Sequence, residues 1–371
     1  MRKLLIKLHR SHCGPLQLTI VILSLFLLFA VIGDPRWAAN SFKEEPRVMS
    51  WQIVNYQNTT SGTSEPKIVG NPYLMLSSDE ASNIKRQFEV RRRRVQHLCI
   101  YSKENPSILE SAVSKIIIDE KHGISWCPVY KAASSVWMQN FASLRGLLSE
   151  PIMDLIRKNI IQVNSIVRQS LSKDINANQS LEKIEETKKL LIVRHPFERL
   201  LSAYRDKLEH KEGREYYYTR FGRHITHRYR RRKNPSDMRL EPTFVEFLEF
   251  IVKEKYFDEH WVPYYDSCAP CKIQYDYILK FETLLEEQSI FLSDTGLFGY
   301  LYQVGDARNA IPHESTTRTV AKDYFENVPK LLLKEVHKVY EKDFKLFAYS
   351  PGEYFYMSLD NNPVNVNKSV I

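Results

Sequence analysis

Apolar and polar residues follow one another in blocks that predict two strand-to-helix units. In the first unit an apolar run at 124–129 leads through a polar turn at 130–135 into helical spacing over 137–148. In the second, the apolar run 190–193 leads through a turn at 194–196 into another amphipathic helix. Units of this kind build a parallel sheet flanked by helices, with ligands bound beyond the carboxyl ends of the strands. The pattern therefore predicts an α/β domain with both turns at the ligand edge.

Other segments have weaker patterns of apolar and polar residues. Amphipathic helices are predicted at 242–254 and 331–347, and a strand at 275–281. A charged helical stretch begins at residue 83, and its arginine run at 91–94 is expected on a solvated face. Residues 220–239 are basic and rich in tyrosine with little apolar period, which predicts an exposed insertion.

The N-terminal region carries an apolar run without charged residues from about 16 to 32, preceded by several basic residues. This predicts a signal-anchor helix at 16–33, a cytosolic tail at 1–15 and a lumenal remainder. A signal peptide cleaved near Ala38 or Ala39 is the alternative. Residues 34–82 read as a lumenal stem, followed by one catalytic domain at 83–371 with its core at about 99–349.

The net charge of the chain limits the classes of partner that it can attract. The 371 residues contain 53 Lys and Arg against 44 Asp and Glu, a formal charge of +9. This charge attracts phosphate, nucleic acid, anionic lipid or acidic polysaccharide. A lumenal domain without a nucleic-acid motif does not meet nucleic acid, so we exclude that partner.

Of the five cysteines, Cys13 lies on the cytosolic flank. The lumenal candidates for disulfides are Cys99, Cys127, Cys268 and Cys271. The close pair at 268–271 also fits a redox motif or half a zinc site, but no second such pair completes a tetrahedral site, so we predict structural disulfides and no metal. Glycosylation candidates are Asn58, Asn178 and Asn367.

The first turn combines Lys131 with two hydroxyls, Ser134 and Ser135, ahead of a helix. Unpaired backbone N–H groups and the positive end of the helix dipole suit this position to a phosphate or sulfate. A surface lysine beside a serine N-cap is the alternative. The Walker signature GxxxxGK[ST] is absent, which argues against an ordinary ATP or GTP site.

The second turn carries Arg194, whose planar guanidinium suits a phosphate, and Ser202 on the helix that follows. Two anion-binding turns suit a cofactor with two separated anionic groups. Alternatively, Arg194 is a structural ion-pair residue and Ser202 a surface hydroxyl.

Together these residues resemble the Golgi carbohydrate sulfotransferases of the chondroitin and dermatan 4-O-sulfotransferase type, in sulfotransferase family 2. The first family motif is matched by Cys127, Lys131, Ala133, Ser135 and Trp137. The second is matched by Arg194, Pro196, Phe197, Arg199, Leu200, Ser202, Ala203, Tyr204, Arg205 and Lys207. Blocks at 259–261, 268–271, 275–276, 280–283 and 315–319 resemble later family blocks in the same order.

The resemblance implies a P-loop-like sulfotransferase fold and a Golgi single-pass type II membrane protein. It also implies 3′-phosphoadenosine-5′-phosphosulfate (PAPS) as sulfate donor, with its 5′-phosphosulfate at 130–136 and its 3′-phosphate at 194–202, and a glycan acceptor, N-acetylgalactosamine of chondroitin or dermatan chains. The cofactor-binding residues so implied are Tyr130, Lys131, Ala132, Ala133, Ser134, Ser135, Val136, Arg194, Pro196, Arg199, Ser202 and Arg318. The sequence departs from the family pattern at Tyr130, Val136 and His195.

Sulfuryl transfer needs positive charge on the leaving oxygen and a base for the acceptor proton. We assign the charge to Lys131. We assign the base to His260, because imidazole titrates near neutral pH and this residue lies in a block that the family shares. Alternative bases are His195, His210, Glu198 and Glu259. The basic stretch 228–233 offers cations for an acidic glycan.

Two other functions fit the same sequence. One is a weakened homologue that binds acidic glycans without sulfating them, which the departures at Tyr130, Val136 and His195 suggest. The other is a sulfotransferase directed to heparan or another uronic-acid glycan, which would share the donor but prefer a different acceptor.

Overall fold

The computed structural model describes residues 76–102, 106–158, 160–171, 177–230, 240–302 and 316–359. The tail, the anchor at 16–33 and nearly all of the stem fall outside these residues, as do Asn58 and Asn367. Asn178 lies in a helix at Ala177–Glu185. Among the helices described, none combines the length and the apolar composition needed to cross a membrane.

A four-stranded sheet forms the framework, in the order β1 (Ile117–Asp119), β2 (Ile124–Cys127), β3 (Lys188–Val193), β4 (Tyr277–Lys280). Strands β2, β3 and β4 are parallel, as predicted. Strand β1 is a correction to the predicted parallel sheet, because it pairs antiparallel with β2. The reason is the turn between them, which ends at Gly123 with φ 64°, a conformation that glycine adopts without steric cost.

Helices surround the sheet. Those before β3 are α1 (Ser78–Cys99), α2 (Pro106–Val113), α3 (Ser134–Leu144), α4 (Glu150–Arg157), α5 (Val163–Leu171) and α6 (Ala177–Glu185). Between β3 and β4 lie α7 (Pro196–Lys207), α8 (Glu215–Tyr217), a π-helix (Tyr218–Gly222), α9 (Arg223–Tyr229), α10 (Phe244–Glu254) and α11 (Tyr264–Cys268). After β4 come a 3₁₀ turn (Phe281–Thr283), α12 (Leu284–Asp294), α13 (Phe298–Tyr302), α14 (Thr316–Thr319), α15 (Ala321–Phe325), α16 (Lys330–Val339), α17 (Glu341–Leu346) and α18 (Gly352–Met357).

The two predicted strand-to-helix units are present and share one sheet edge. Strand β3 is buried along Leu190 to Val193, as expected for a parallel strand covered on both faces. Pro196 then opens α7 at a position where its missing N–H costs nothing. Because β2 and β3 are parallel, the loop after Cys127 and the turn after Val193 emerge at the same edge.

Three predicted segments differ from the structure. The predicted helix at 331–347 is two helices, α16 and α17, which meet at Tyr340. Of the insertion predicted at 220–239, residues 220–229 are instead helical, with Phe221, Ile225 and Tyr229 buried, and residues 231–239 lie outside the described residues. Within the arginine run, Arg91 is buried rather than solvated and pairs with Glu287 at 2.6 Å.

Two disulfides join the first part of the domain to the segment before β4. Cys99 pairs with Cys271, and Cys127 pairs with Cys268. The two cysteines of the close pair at 268–271 are therefore in different disulfides. Because Cys127 is the last residue of β2, its bond holds the start of the first loop against α11.

Candidate active site

The first loop, 128–133, turns sharply between β2 and α3. Lys131 and Ala133 have φ values of 69° and 61°, in the left-handed region that non-glycine residues rarely adopt. Ala133 is the N-cap of α3 and contributes no side-chain hydrogen bond to the helix terminus. The start of this helix of 11 residues thus offers backbone N–H groups and the positive end of its dipole to an anion.

Arg199 holds the first loop in place. From α7, its Nε donates to the carbonyl oxygen of Tyr130 at 2.9 Å. Its two terminal nitrogens donate to the carbonyl oxygens of Val262 at 2.6 Å and Glu259 at 3.3 Å. One buried guanidinium thus joins the lysine loop to the turn that carries His260.

Lys131 lies in a cluster of three cations around one carboxylate. Asp206 Oδ2 is 3.1 Å from Nζ of both Lys131 and Lys207, and its Oδ1 is 2.8 Å from Arg214 Nη2. Burial raises the pKa of the Asp206 carboxyl, but the charge of Lys131 and the bond from Arg214 outweigh it and hold that pKa below its ordinary value. The cluster keeps a net positive charge.

The second turn is fixed through its backbone. The Arg194 amide donates to the Tyr264 hydroxyl at 3.0 Å, and that hydroxyl donates to the Arg194 carbonyl oxygen at 2.8 Å. The guanidinium donates to the carbonyl oxygen of Lys131 at 3.2 Å, lies 3.6 Å from Glu198 and stacks over Phe281. Arg194 therefore reaches across to the first loop.

His260 belongs to a hydrogen-bonded pair with Asp258. Its Nδ1 is 2.5 Å from Asp258 Oδ1 and 3.1 Å from the Tyr217 hydroxyl. Burial raises the pKa of Asp258, but the hydrogen bonds from His260 outweigh it and keep this pKa below its ordinary value. An ionised carboxylate only accepts, so the proton of a neutral ring is assigned to Nδ1 and the lone pair to Nε2. Among the residues described, no hydrogen bond engages Nε2.

The other candidate bases are less suited. His195 Nε2 is 3.0 Å from the carbonyl oxygen of Ser350 while Nδ1 accepts from the Phe197 amide, and burial lowers the pKa of this imidazole. Glu198 is buried among Arg194, Arg318 and Tyr354. His210 is exposed beside Glu209.

A cleft of about 710 Å³ brings the two turns and His260 together. From the predicted residues it takes Tyr130, Lys131, Ala133, Ser134, Ser135, Val136, Arg194, Ser202, Glu259 and His260. The cleft is also lined by residues that were not predicted as site residues from the sequence: Gln162, Asn164, Asp206, Lys207, Tyr216, Tyr217 and Phe281.

Four predicted cofactor residues lie outside this lining. Ala132 and Pro196 are themselves buried residues of the two turns, and Arg199 donates to the three carbonyl oxygens described above. Arg318 pairs with Glu198 at 3.5 Å and Glu353 at 3.2 Å, so it acts on Arg194 through Glu198. Arg199 and Arg318 position the site through these contacts, and their binding of the cofactor stays a prediction.

The sequence contained a signal for Asp206, one of the cleft residues that were not predicted. Asp206 follows Ser202 by one helical turn, and such residues share a helix face. Tyr217 reaches His260 only through tertiary packing, so spacing along the chain did not reveal it. Asp258, in contrast, lies two residues before His260 and accepts from its backbone amide at 3.1 Å, a local contact that the sequence analysis did not use. In the part of the chain that the structure describes, no cluster of His, Cys, Asp or Glu could hold a metal ion.

Lys131 near the N-terminus of α3, Arg194 and the imidazole of His260 line one cleft. Cations that can bind an anionic group and an imidazole that can accept a proton are the components of a site that transfers an anionic group. The sequence profile of the Sulfotransferase family matches residues 114–350 of the chain. The chain belongs to this family.

Curated relatives agree with that membership. Carbohydrate sulfotransferase 11 of Mus musculus is 29% identical over 289 residues, covering 74% of this chain and 79% of the relative. Carbohydrate sulfotransferase 8 of Homo sapiens is 30% identical, covering 72% and 64%, and carbohydrate sulfotransferase 14 of Danio rerio is 29% identical, covering 74% and 76%. No solved structure matches the chain significantly. The protein is a carbohydrate sulfotransferase.

Proposed function

We propose that this carbohydrate sulfotransferase uses PAPS as donor and sulfates a hydroxyl of N-acetylgalactosamine in chondroitin- or dermatan-type chains. The observation that carries the proposal is the meeting of Lys131, Arg194 and His260 in one cleft. Cations for two anionic groups and a base for a hydroxyl are the components that this reaction requires.

The cleft residues fit a donor with two anionic ends. The start of α3, with Lys131, Ser134 and Ser135, would hold the 5′-phosphosulfate. Arg194 and Ser202 would hold the 3′-phosphate. When bound, PAPS supplies a sulfuryl group on a phosphate leaving group. Lys131 would neutralise the charge that grows on the leaving oxygen, with Asp206 keeping the ammonium oriented.

His260 would take the acceptor proton at Nε2. His260 would receive the acceptor proton as the acceptor oxygen bonds to sulfur and the phosphate oxygen leaves with the electrons of its bond to sulfur. Asp258 orients the ring and stabilises the imidazolium once it forms. Tyr130, one of the departures from the family pattern, packs its ring 4.6 Å from that of His260 and so takes part in holding the base.

The acceptor and compartment belong to the same proposal. The motif resemblance favours N-acetylgalactosamine in an acidic chain, and the net charge of +9 supports a polyanionic acceptor. We also propose a Golgi, single-pass type II placement with the catalytic domain in the lumen. The two disulfides support an oxidising compartment.

Replacing Arg194 with alanine is expected to weaken binding of 3′-phosphoadenosine 5′-phosphate by about 10- to 100-fold, the effect of losing a charge-assisted hydrogen-bonded contact. AMP, which lacks the 3′-phosphate, should bind the variant and the parent about equally. Titration calorimetry on the detergent-solubilised full chain measures both affinities.

Two variants control this measurement. Arg157→Ala removes an exposed arginine on α4 and should leave both affinities unchanged. Arg194→Lys keeps a charge near Glu198, so it separates loss of phosphate binding from loss of folding. An Arg194→Ala protein that folds and still prefers the 3′-phosphorylated nucleotide by the parental factor contradicts the donor assignment.

A further inference from the structure

A helical segment beside the cleft has one strongly basic face. Residues 218–230 contain four arginines and two histidines and no acidic residue. Phe221, Ile225 and Tyr229, spaced four apart, are buried and fix the orientation of α9. Arg223 and Arg228 are therefore turned outward, and both are exposed.

Part of this charge is neutralised within the protein. Arg220 lies 4.0 Å from Asp258, His224 lies 2.8 Å from Glu254, and Arg230 lies 3.0 Å from Glu246. Arg223, His227 and Arg228, in contrast, form no ion pair with any residue that the structure describes. We call these three residues the basic face.

The basic face continues from the active cleft. Tyr216 and Tyr217 line the cleft directly before the π-helix, and Arg220 Nη1 donates to the Tyr216 hydroxyl at 2.6 Å. From Tyr216 to Arg228 the chain advances roughly 18 Å at the rise of a helix. The basic face thus extends outward from the side of the cleft that contains His260.

The surface is grooved where these cations lie. One groove of about 620 Å³ is lined by Arg223, His227 and Thr219, among others. A second, of about 590 Å³, is lined by Arg228, His227 and Lys253, and also by the carboxylate of Glu254, while Lys253 pairs with Glu249 at 3.6 Å. Arg223 and Arg228, which form no ion pair with a described residue, lie in separate grooves. Two separated cations suit an extended anionic chain better than a single compact anion, since charges at intervals along such a chain can each meet a cation.

We propose that the basic face binds the acidic stretch of the acceptor glycan outside the reacting sugar, through carboxylate or sulfate groups repeated along the chain. The inference rests on the proposed function, because it takes the cleft to hold the sugar that is sulfated. It makes polymer length and charge, rather than the terminal sugar alone, determinants of acceptor choice. A neutral glycan would use the cleft without this surface.

The double variant Arg223→Ala/Arg228→Ala tests the inference. We expect its KM for desulfated chondroitin polymer, which retains its uronate carboxylates, to rise about 3- to 30-fold, the effect of two exposed ion pairs. The kcat for the polymer and both constants for a neutral N-acetylgalactosamine glycoside should stay unchanged. The rise of KM with added salt should also be shallower in the variant.

Arg86→Ala/Arg157→Ala is the matched control, because it removes the same charge from exposed arginines on α1 and α4. Binding of fluorescein-labelled chondroitin is measured in parallel by anisotropy without donor. If the full chain binds the polymer through the basic face but transfers no sulfate, the proposed function fails and the binding site stands. Equal polymer KM and affinity in both double variants, or an equal loss with the neutral glycoside, overturns the basic-face proposal.

Discussion

Replacing Lys131 with alanine is expected to lower kcat for sulfate transfer by about 10²- to 10³-fold, the usual effect of deleting one electrostatic contact to a developing negative charge. Lys131 is the cation of the first loop, held where α3 begins. Lys207 and Arg214 remain near Asp206, so the variant keeps part of the positive field and some donor affinity. The measurement is the initial rate at saturating PAPS and acceptor, with the full chain.

The control for Lys131 is Lys334→Ala, which removes an exposed lysine from α16 and should leave kcat unchanged. Thermal unfolding of both variants checks that the loop change has not unfolded the domain. A kcat within about twofold of the parent for folded Lys131→Ala would mean that another group carries the leaving-group charge.

Replacing His260 with alanine is expected to lower kcat by about 10²- to 10⁴-fold, the range for a general base, and to leave the affinity for 3′-phosphoadenosine 5′-phosphate unchanged. The reason is that Asp258 orients the ring through Nδ1, while no residue that the structure describes hydrogen-bonds Nε2. Steady-state kinetics together with nucleotide titration separate the loss of a base from the loss of donor binding.

Neighbouring variants test the assignment of the base. Glu259→Gln changes the other candidate base in the cleft, which already pairs with Arg168 at 3.7 Å, and should retain most activity. Asp258→Asn should lower kcat while keeping nucleotide affinity, because an amide can donate to Nδ1 and favour the wrong tautomer. High activity in His260→Ala with loss in Glu259→Gln would transfer the role to Glu259.

The parts of the fold that the sequence predicted are those with short-range apolar patterns. The runs at 124–129 and 190–193 became β2 and β3, and their polar turns reached the same sheet edge because parallel strands require it. The helix at 242–254 was likewise clear, since Thr243 and Glu246 form a capping box at its start.

Two segments have a structure that differs from the one predicted, and tertiary contacts contribute to both. Residues 331–347 have continuous helical spacing, yet the chain breaks at Tyr340, whose hydroxyl donates to the carbonyl oxygen of Trp261. In 220–230 the apolar residues are sparse, and arginines between them hid a helix whose buried side chains are Phe221, Ile225 and Tyr229. The break at Tyr340 has no signal in the local pattern, whereas the spacing of these three residues by four positions was a local signal that was missed.

The candidate site likewise contains residues that the sequence predicted and residues that it did not. Lys131, Arg194 and His260 were identified from loop chemistry and motif resemblance, and they line one cleft. That Arg199 binds the cofactor stays a prediction, and the structure adds that its guanidinium donates to backbone carbonyls that only the folded chain brings within reach. Asp206 and Asp258 orient other side chains, and each had a local signal in its position, one helical turn after Ser202 and two residues before His260.

The most direct test of the central claim is transfer of labelled sulfate from PAPS by the detergent-solubilised full chain to desulfated chondroitin, dermatan and heparan. The predicted result is incorporation into chondroitin or dermatan, at N-acetylgalactosamine by disaccharide analysis, which is lost in Lys131→Ala and Arg194→Ala. Incorporation into heparan alone would contradict the acceptor. No incorporation by folded protein at high PAPS would contradict the enzyme itself and favour a glycan-binding homologue weakened at Tyr130 and Val136.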